Sequence, residues 1–299
     1  MKTMLSAVIV TYRSDRHIVP CLETLQARND IGNGLEAIVV DNEAAGSDER
    51  HASLAAQFPA LSLKYLCNTH NGGYGQGNNV GIRAASAPVI LVMNPDVRLT
   101  GATPGQICKA FDKDESLVLL GMRQLLGNGE RGRSFLWSGG LPPSCFGNAL
   151  VAWSNRTGMY FPRWECIQGS CFALRKSAFE AAGLFDETVF MYGEERDIHH
   201  RMRAGGGKIA CDWNMSYRHL TDQRESSIGS TVRQWKVRAD WCRRHGIPAA
   251  RFWKALRGQI RWALWGASFK ALGRETPKTR FLREKLAALS ACEREDGDR

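Results

Sequence analysis

The chain has 299 residues, 43% of them hydrophobic, and a formal charge of +10. That supports one large core with an appendage, and with no window near ~18 uninterrupted apolar residues it excludes a membrane-spanning helix, leaving only peripheral membrane contact. Its nine cysteines show neither a C-x-x-C pair nor a His-Cys ligand spacing, which points to reduced thiols in a cytosolic compartment and away from disulfide or zinc scaffolds.

In chain order, Leu5 to Thr11 reads as a buried strand; its short run, broken by Thr11-Tyr12-Arg13, does not read as a leader peptide. Asp15 to Ala27 is an amphipathic helix with Ile18, Leu22 and Leu25 on one face. A strand over Leu35 to Val40 ends at Asp41-Asn42, followed by a helix near Asp48 to Gln57 and a strand over Leu61 to Leu66. A Gly-rich loop at 71 to 77 leads into a helix ending near Ala85. Pro88 to Val97 then gives an apolar strand, buried on both faces, that stops on Asn94-Pro95-Asp96. Thr103-Pro104 caps a helix to Phe111, and Leu117 to Leu120 is the next strand. Between Gly121 and Trp164 periodicity dissolves into Gly, Pro, Ser and Asn around scattered aromatics, the mark of a functional loop or irregular hairpin. Order resumes with Ile167 to Leu174, helices near 176 to 182 and 194 to 203, and a strand from Lys208 to Cys211. This alternation predicts an α/β, doubly wound, mostly parallel sheet.

Ligands in such sheets bind beyond the carboxyl ends of the strands. Asp96 stands there and could hold a hard divalent cation against a diphosphate, although Asn-Pro-Asp is also a good turn. Asp41 with Asn42 is placed for a nucleoside, or simply starts a loop. The stretch Asn71 to Gly81 allows close backbone approach and offers a helix N-terminus to phosphate, yet it is neither a dinucleotide fingerprint nor a P-loop. Glu194, Glu195 and Asp197 cluster at a helix start after Phe190-Met191-Tyr192. They suit the helix macrodipole, and equally suit a general base whose carboxyl is desolvated and repelled by its neighbours. His219 by itself reads as an ordinary structural histidine unless the site needs another ligand.

Taken together, Val8-Ile-Val-Thr-Tyr12, Val39-Val-Asp-Asn42, Asn71-x-Gly-Tyr-Gly-x-Gly-x-Asn79-x-Gly81, Asn94-Pro-Asp96, Gly169 to Arg175, Gly183-Leu-Phe-Asp-Glu187, Tyr192-Gly-Glu-Glu-Arg-Asp197 and His219 before Ser226 resemble the family 2 glycosyltransferases of GT-A fold. Within that family the pattern is similar to the rhamnosyltransferase-like branch of bacterial lipopolysaccharide and polysaccharide synthesis. The resemblance covers roughly residues 4 to 230. It implies inverting transfer from a nucleotide sugar, with dTDP-L-rhamnose as donor and a lipopolysaccharide core or lipid-linked glycan as acceptor. Thr11, Tyr12, Asp41 and Asn42 would hold the nucleoside; Asn71, Gly73, Asn79 and Asn94 would shape the phosphate side. Asp96 would bind Mg²⁺ or Mn²⁺, with His219 as a further metal or diphosphate ligand. The family commonly reads Glu-Asp where this chain has Glu194-Glu195, so Glu195 becomes the expected base and Asp197 its rival. The substitution also leaves open a catalytically silent nucleotide-sugar-binding subunit, and a UDP-hexose or UDP-galactofuranose donor is the nearest alternative chemistry.

Residues 1–230 are therefore expected to form the catalytic domain, with 1–120 the nucleotide-sugar half and 121–230 the acceptor and catalytic half. Residues 231–299 form a basic tail: 17 Lys and Arg against 7 Asp and Glu carry the whole charge excess, together with five of the nine tryptophans. Basic and aromatic residues alternate at helical spacing from Ala249 to Leu272, as suits an anionic membrane surface at the cytoplasmic face, or helices that cap the catalytic domain. No nucleic-acid-binding module is recognisable.

Overall fold

The computed structural model describes residues 2–43, 47–220 and 227–297. The chain divides into two compact units, one formed by residues 1–136 and 152–223, the other by 137–151 and 224–299.

In the first unit the chain runs β1 (Leu5–Thr11), α1 (Asp15–Ala27), β2 (Leu35–Asp41), α2 (Ser47–Gln57), β3 (Ser62–Cys67), α3 (Gly73–Ala84), β4 (Val89–Met93), β5 (Val97–Leu99), α4 (Pro104–Lys113) and β6 (Leu117–Leu126). It continues with β7 (Phe135–Trp137) and α5 (Cys145–Thr157), of which Trp137 and residues 145–151 belong to the second unit, and then, again in the first, β8 (Glu165–Ile167), β9 (Cys171–Arg175), α6 (Lys176–Ala181), α7 (Glu194–Ala204) and β10 (Lys208–His219). Eight strands form one sheet in the order β3-β2-β1-β4-β9-β6-β10-β5. The half from β3 to β4 is parallel, as is β6 with β10, while β9 runs antiparallel between β4 and β6 and β5 lies antiparallel on β10. Alternate residues of each central strand enter opposite cores. Ala7, Ile9, Val39, Leu91 and Met93 pack on one side, and Val8, Ile38, Val40, Ile90 and Val92 on the other. That is why these strands are apolar throughout, not alternating.

Three expectations change. The 71–77 stretch is not a loop before a helix, because α3 already begins at Gly73. Its glycines let the helix lie close on the sheet: a Cβ at Gly81 would meet Val8 Cγ1 at 2.4 Å and Val40 Cγ2 at 3.0 Å. The 121–164 region is more ordered than its composition implies, since it holds the end of β6, β7 and the whole of α5. Its helix was hidden because α5 lacks an acidic first turn and carries polar residues among Trp153, Leu150 and Val151. Finally, β10 does not stop at Cys211 but runs on to His219, with an irregularity between Asp212 and Ser216 that breaks the alternation a reader would follow.

The second unit contains α8 (Ile228–Arg244), α9 (Ala249–Lys270) and α10 (Pro277–Gly297). Its core is Trp235, Ala239, Trp241, Cys242, Phe252, Trp253, Leu256, Ile260, Leu289 and Cys292. Arg238 ties residues 139–141 to α8, donating to the carbonyls of Gly139 and Gly140, each at 2.8 Å, and of Leu141. No helix among the described residues is long and apolar enough to cross a membrane.

Candidate active site

The carboxyl ends of β1 and β2 are in register, pairing Thr11 with Asp41. Thr11 is buried and its carbonyl accepts the Asn42 N–H at 2.9 Å. Tyr12 is 44% exposed, with the Arg13 guanidinium 5.3 Å from its ring centre, so a flat aromatic face and a cation stand at the sheet edge. The Asp41 carboxylate is already engaged. One oxygen receives Arg50 and the Tyr65 hydroxyl, and the other accepts the Glu43 N–H at 2.9 Å.

The neighbouring amide groups serve the fold. Asn42 donates to the Gly73 carbonyl at 3.1 Å and to Asn71 Oδ1 at 3.3 Å, and accepts from Asn68 at 2.9 Å. Asn71 Oδ1 also receives the Gly73 N–H at 3.1 Å. Asn79 is fully buried and bridges α3 to residues 185–187, exchanging two hydrogen bonds of 3.0 Å with the Phe185 backbone and donating to Glu187 at 2.9 Å. Gly73 has φ +85°, and a Cβ there would lie 2.0 Å from the Phe190 carbonyl oxygen. That same carbonyl accepts the Tyr74 N–H at 3.0 Å, so the N-terminus of α3 is turned toward protein at this point. These residues shape the wall of the edge; Asn79 in particular has its amide committed to protein.

At the end of β4 the Asn94 N–H donates to the Ser170 carbonyl at 2.9 Å, and the Asn94 carbonyl accepts from Val97 at 3.1 Å, closing a turn around Pro95. The chain then enters β5, which pairs with the end of β10 so that Val97 faces His219. This register brings the buried Asp96 and His219 together, Oδ1 to Nε2 at 3.4 Å, and the Leu220 N–H donates to the Asp96 carbonyl at 3.0 Å. Arg98 braces the turn, donating to the carbonyls of Pro95 at 2.9 Å and Val97 at 2.7 Å.

The acidic cluster splits into three environments. Tyr192 (φ 78°) and Gly193 (φ 96°) are both left-handed and swing the chain into α7. Glu194 is buried and accepts the Tyr192 N–H at 2.7 Å; burial, then the charge of Glu195, pushes its carboxyl well above the usual carboxylate range. Glu195 lies against Gly169, where a Cβ would stand 2.7 Å from its Oε1, and no hydrogen bond or ion pair engages its carboxylate among the described residues. Asp197 is bound by Arg201, with Nε at 3.0 Å and Nη2 at 2.7 Å, in an ion pair along the helix.

Glu195 belongs to the same edge as the metal-type pair. The Gly169 carbonyl accepts the Tyr74 hydroxyl at 2.5 Å, and the next residue, Ser170, bonds Tyr217 at 2.9 Å, two positions before His219 on the same face of β10. Tyr74, Ser170, Tyr217 and Arg98 were missed as site residues. Tyr74 and Ser170 lie within stretches singled out in the sequence, but aromatic hydroxyls and one arginine carry no spacing signal.

A divalent metal fits Asp96 and His219 by donor chemistry: a carboxylate oxygen, which suits Mg²⁺ and Mn²⁺, converges with an imidazole nitrogen, a softer donor that favours a transition metal such as Mn²⁺ over Mg²⁺. The described residues contain no cluster of three or more ligating side chains. The protein would thus supply two ligands, and diphosphate and water the remainder.

Residues 6–183, more than half of the chain, match the family described as glycosyl transferase family 2. The chain belongs to this family. The low-salt glycan biosynthesis hexosyltransferase Agl10 of Haloferax volcanii is 27% identical to this glycosyltransferase over 211 residues, 67% of this chain and 61% of that one. The chain therefore spans less than two thirds of that relative's length. Among solved structures, the mannosyltransferase PcManGT from Pyrobaculum calidifontis, in complex with GDP-Man and Mn²⁺, superposes with a TM-score of 0.63 at 15% identity, covering 97% of this chain and 86% of that one. S. aureus TarS 1-349 in complex with UDP gives 0.55 at 17% identity, covering 80% and 64%. At these identities the structural likeness shows the fold, which is GT-A with its mostly parallel central sheet flanked by helices.

Proposed function

We propose that this family 2 glycosyltransferase moves L-rhamnose from dTDP-L-rhamnose onto a lipopolysaccharide core or another lipid-linked glycan, inverting the anomeric centre. The observation that carries the chemistry is the Asp96–His219 pair at the carboxyl edge of the sheet, with Glu195 on the same edge beside Gly169. Thr11, Tyr12 and Asp41 receive the nucleoside, Tyr12 stacking on the base, and Asn71 and Gly73 border the phosphates while Asn94 holds the turn that presents Asp96. Asp96 and His219 hold a divalent ion, which when bound neutralises charge on the departing diphosphate.

Glu195 takes the proton of the acceptor hydroxyl as that oxygen bonds to the anomeric carbon and the carbon–diphosphate bond breaks. Its carboxylate is available for this, whereas Asp197 is held by Arg201 and Glu194 is held in protonated form by burial. Tyr74 and Ser170 keep the Gly169 turn, and so the base, in place. Agl10 is named a hexosyltransferase, a name that accommodates L-rhamnose, a 6-deoxyhexose, as well as the UDP-sugar that is the second reading.

Thermal shift against dTDP, dTDP-rhamnose, UDP and UDP-sugars, with and without Mn²⁺, tests the assignment. A ligand at 100 times its Kd should stabilise the fold by about 2.7 kcal/mol. Metal-dependent stabilisation by the dTDP ligands, lost in Asp96→Ala, is expected. Preference for UDP-sugars would replace the donor, nucleotide binding without turnover would favour a non-catalytic subunit, and silence toward every nucleotide would overturn nucleotide-sugar binding at this edge.

A further inference from the structure

The apolar residues of α9 do not share one face. Phe252, Trp253, Leu256 and Ile260 are buried in the core of the second unit, whereas Trp262, Trp265 and Phe269 stand 61%, 60% and 72% exposed. At about 100° per residue the exposed three occupy an arc of about 60°, centred about 160° from the buried four. Folding of the unit accounts for one apolar face of α9; the opposite one is unpartnered.

That second face is organised. Trp262 stacks on Trp265 with ring centres 5.1 Å apart, and Trp265 on Phe269 at 5.9 Å, making a continuous aromatic strip. The strip runs for about 10 Å along the helix, and Leu272, two residues past the helix end, is 88% exposed. Helix α9 contains no acidic residue. Of its five cations only Arg257 is neutralised, by Glu293; Arg251, Lys254, Arg261 and Lys270 are exposed and make no ion pair among the described residues. On the helical wheel Arg251 lies in line with the strip, Lys254 and Arg261 flank one side and Lys270 the other.

We infer that this strip is a membrane-surface anchor, lying in the headgroup region of an anionic bilayer with Trp262, Trp265, Phe269 and Leu272 inserted and Arg251, Lys254, Arg261 and Lys270 on lipid phosphates. Charge decides the occupant. A strip of rings whose charged neighbours along α9 are all cations matches a surface that is anionic outside and apolar just beneath. A second copy would bring the same cations face to face, which like-charge repulsion opposes. The strip lies on α9, within the second unit, so the inference stands independently of the donor or acceptor assignment.

The test is sedimentation of the full chain with vesicles of phosphatidylcholine alone or phosphatidylcholine with about one quarter phosphatidylglycerol, with circular dichroism and sedimentation velocity of each protein. The wild-type chain should bind only the anionic vesicles, with a blue-shifted tryptophan emission, and release at high salt. Trp262→Ser/Trp265→Ser/Phe269→Ser should weaken binding at least tenfold without loss of helicity, since these side chains are outside the core. Lys254→Glu/Arg261→Glu/Lys270→Glu, which leaves the rings intact, should weaken it comparably. Absence of binding to anionic vesicles overturns the inference, as does undiminished binding by both variants. A wild-type dimer that the ring variant converts to monomer also overturns it, in favour of a second copy on the strip.

Discussion

His219 Nε2 lies 3.4 Å from Asp96 Oδ1, joining two residues 123 positions apart at the end of one antiparallel strand pair. Neither side chain has freedom to leave, because both are buried and the Leu220 N–H donates to the Asp96 carbonyl. Removing either donor should weaken Mn²⁺ binding at least tenfold, since two protein ligands leave little redundancy. Calorimetric titration of Mn²⁺ in the presence of dTDP, for Asp96→Asn and His219→Ala, measures this. Equal affinity in His219→Ala would remove His219 from the metal.

The base assignment separates by kinetics. Glu195→Gln should lower kcat by about 10²- to 10⁴-fold, the usual range for a lost general base, while leaving donor affinity near wild type. Asp197→Asn should mainly loosen its Arg201 pair, costing on the order of 1 kcal/mol or less of stability. A dead Asp197→Asn with an active Glu195→Gln would exchange the two roles.

Tyr74 offers a check on positioning. Its hydroxyl binds the Gly169 carbonyl beside Glu195, so Tyr74→Phe should reduce kcat by about tenfold while KM for the donor changes little. Steady-state kinetics with each substrate varied in turn reads the split; a loss confined to donor KM would place Tyr74 in the donor pocket instead.

Gly73 is required by two constraints at once. Its φ of +85° disfavours any side chain, and a Cβ would collide with the Phe190 carbonyl at 2.0 Å, backbone that cannot swing aside. Gly73→Ala should cost at least ~2 kcal/mol, read as a lower urea midpoint. A neutral outcome would mean that the Phe190 segment does not pack on α3.

Glu194 predicts an alkaline loss of stability. Burial first, and Glu195 second, raise its carboxyl from 4.5 to about 8 in the folded chain. Its folded pKa lies above the unfolded value, so the favourable contribution is complete below about pH 4.5 and disappears as pH climbs toward 8. Glu194→Gln, which can still accept the Tyr192 N–H, should gain stability on wild type across that interval. Parallel Tm curves for the two proteins from pH 4.5 to 9 would refute the burial effect.

His199 acts in the opposite sense. Burial first, then Arg203, lowers its pKa from 6.5 to about 3, and it shares a hydrogen bond with Tyr160. Stability from the neutral ring is present above pH 6.5 and lost as pH falls toward 3. His199→Gln should flatten the part of the urea-midpoint profile between pH 6.5 and 4.

The strands that build the parallel half were legible in the chain because each is buried on both faces and so must be apolar along its length, as in Val89 to Met93. The Thr103–Pro104 start of α4 was legible for a local reason as well, a capping box with Gln106 that needs no tertiary partner. Asp96 at a strand end and Glu194-Glu195 at a helix start were visible because local backbone rules place them. What tertiary structure decided was which of them meet. The β5–β10 register brings His219, already singled out by the motif resemblance, against Asp96, Asp197 is paired with Arg201, and Asn79, framed by ligand-type glycines, turns to Phe185 and Glu187. In α9, periodicity shows that the apolar residues fall on opposite sides of the helix but not which side α8 and α10 cover and which stays open. The Asp197–Arg201 pair is local, four residues apart on one helix; the other outcomes depend on contacts between residues far apart in the chain, and no local propensity encodes such contacts.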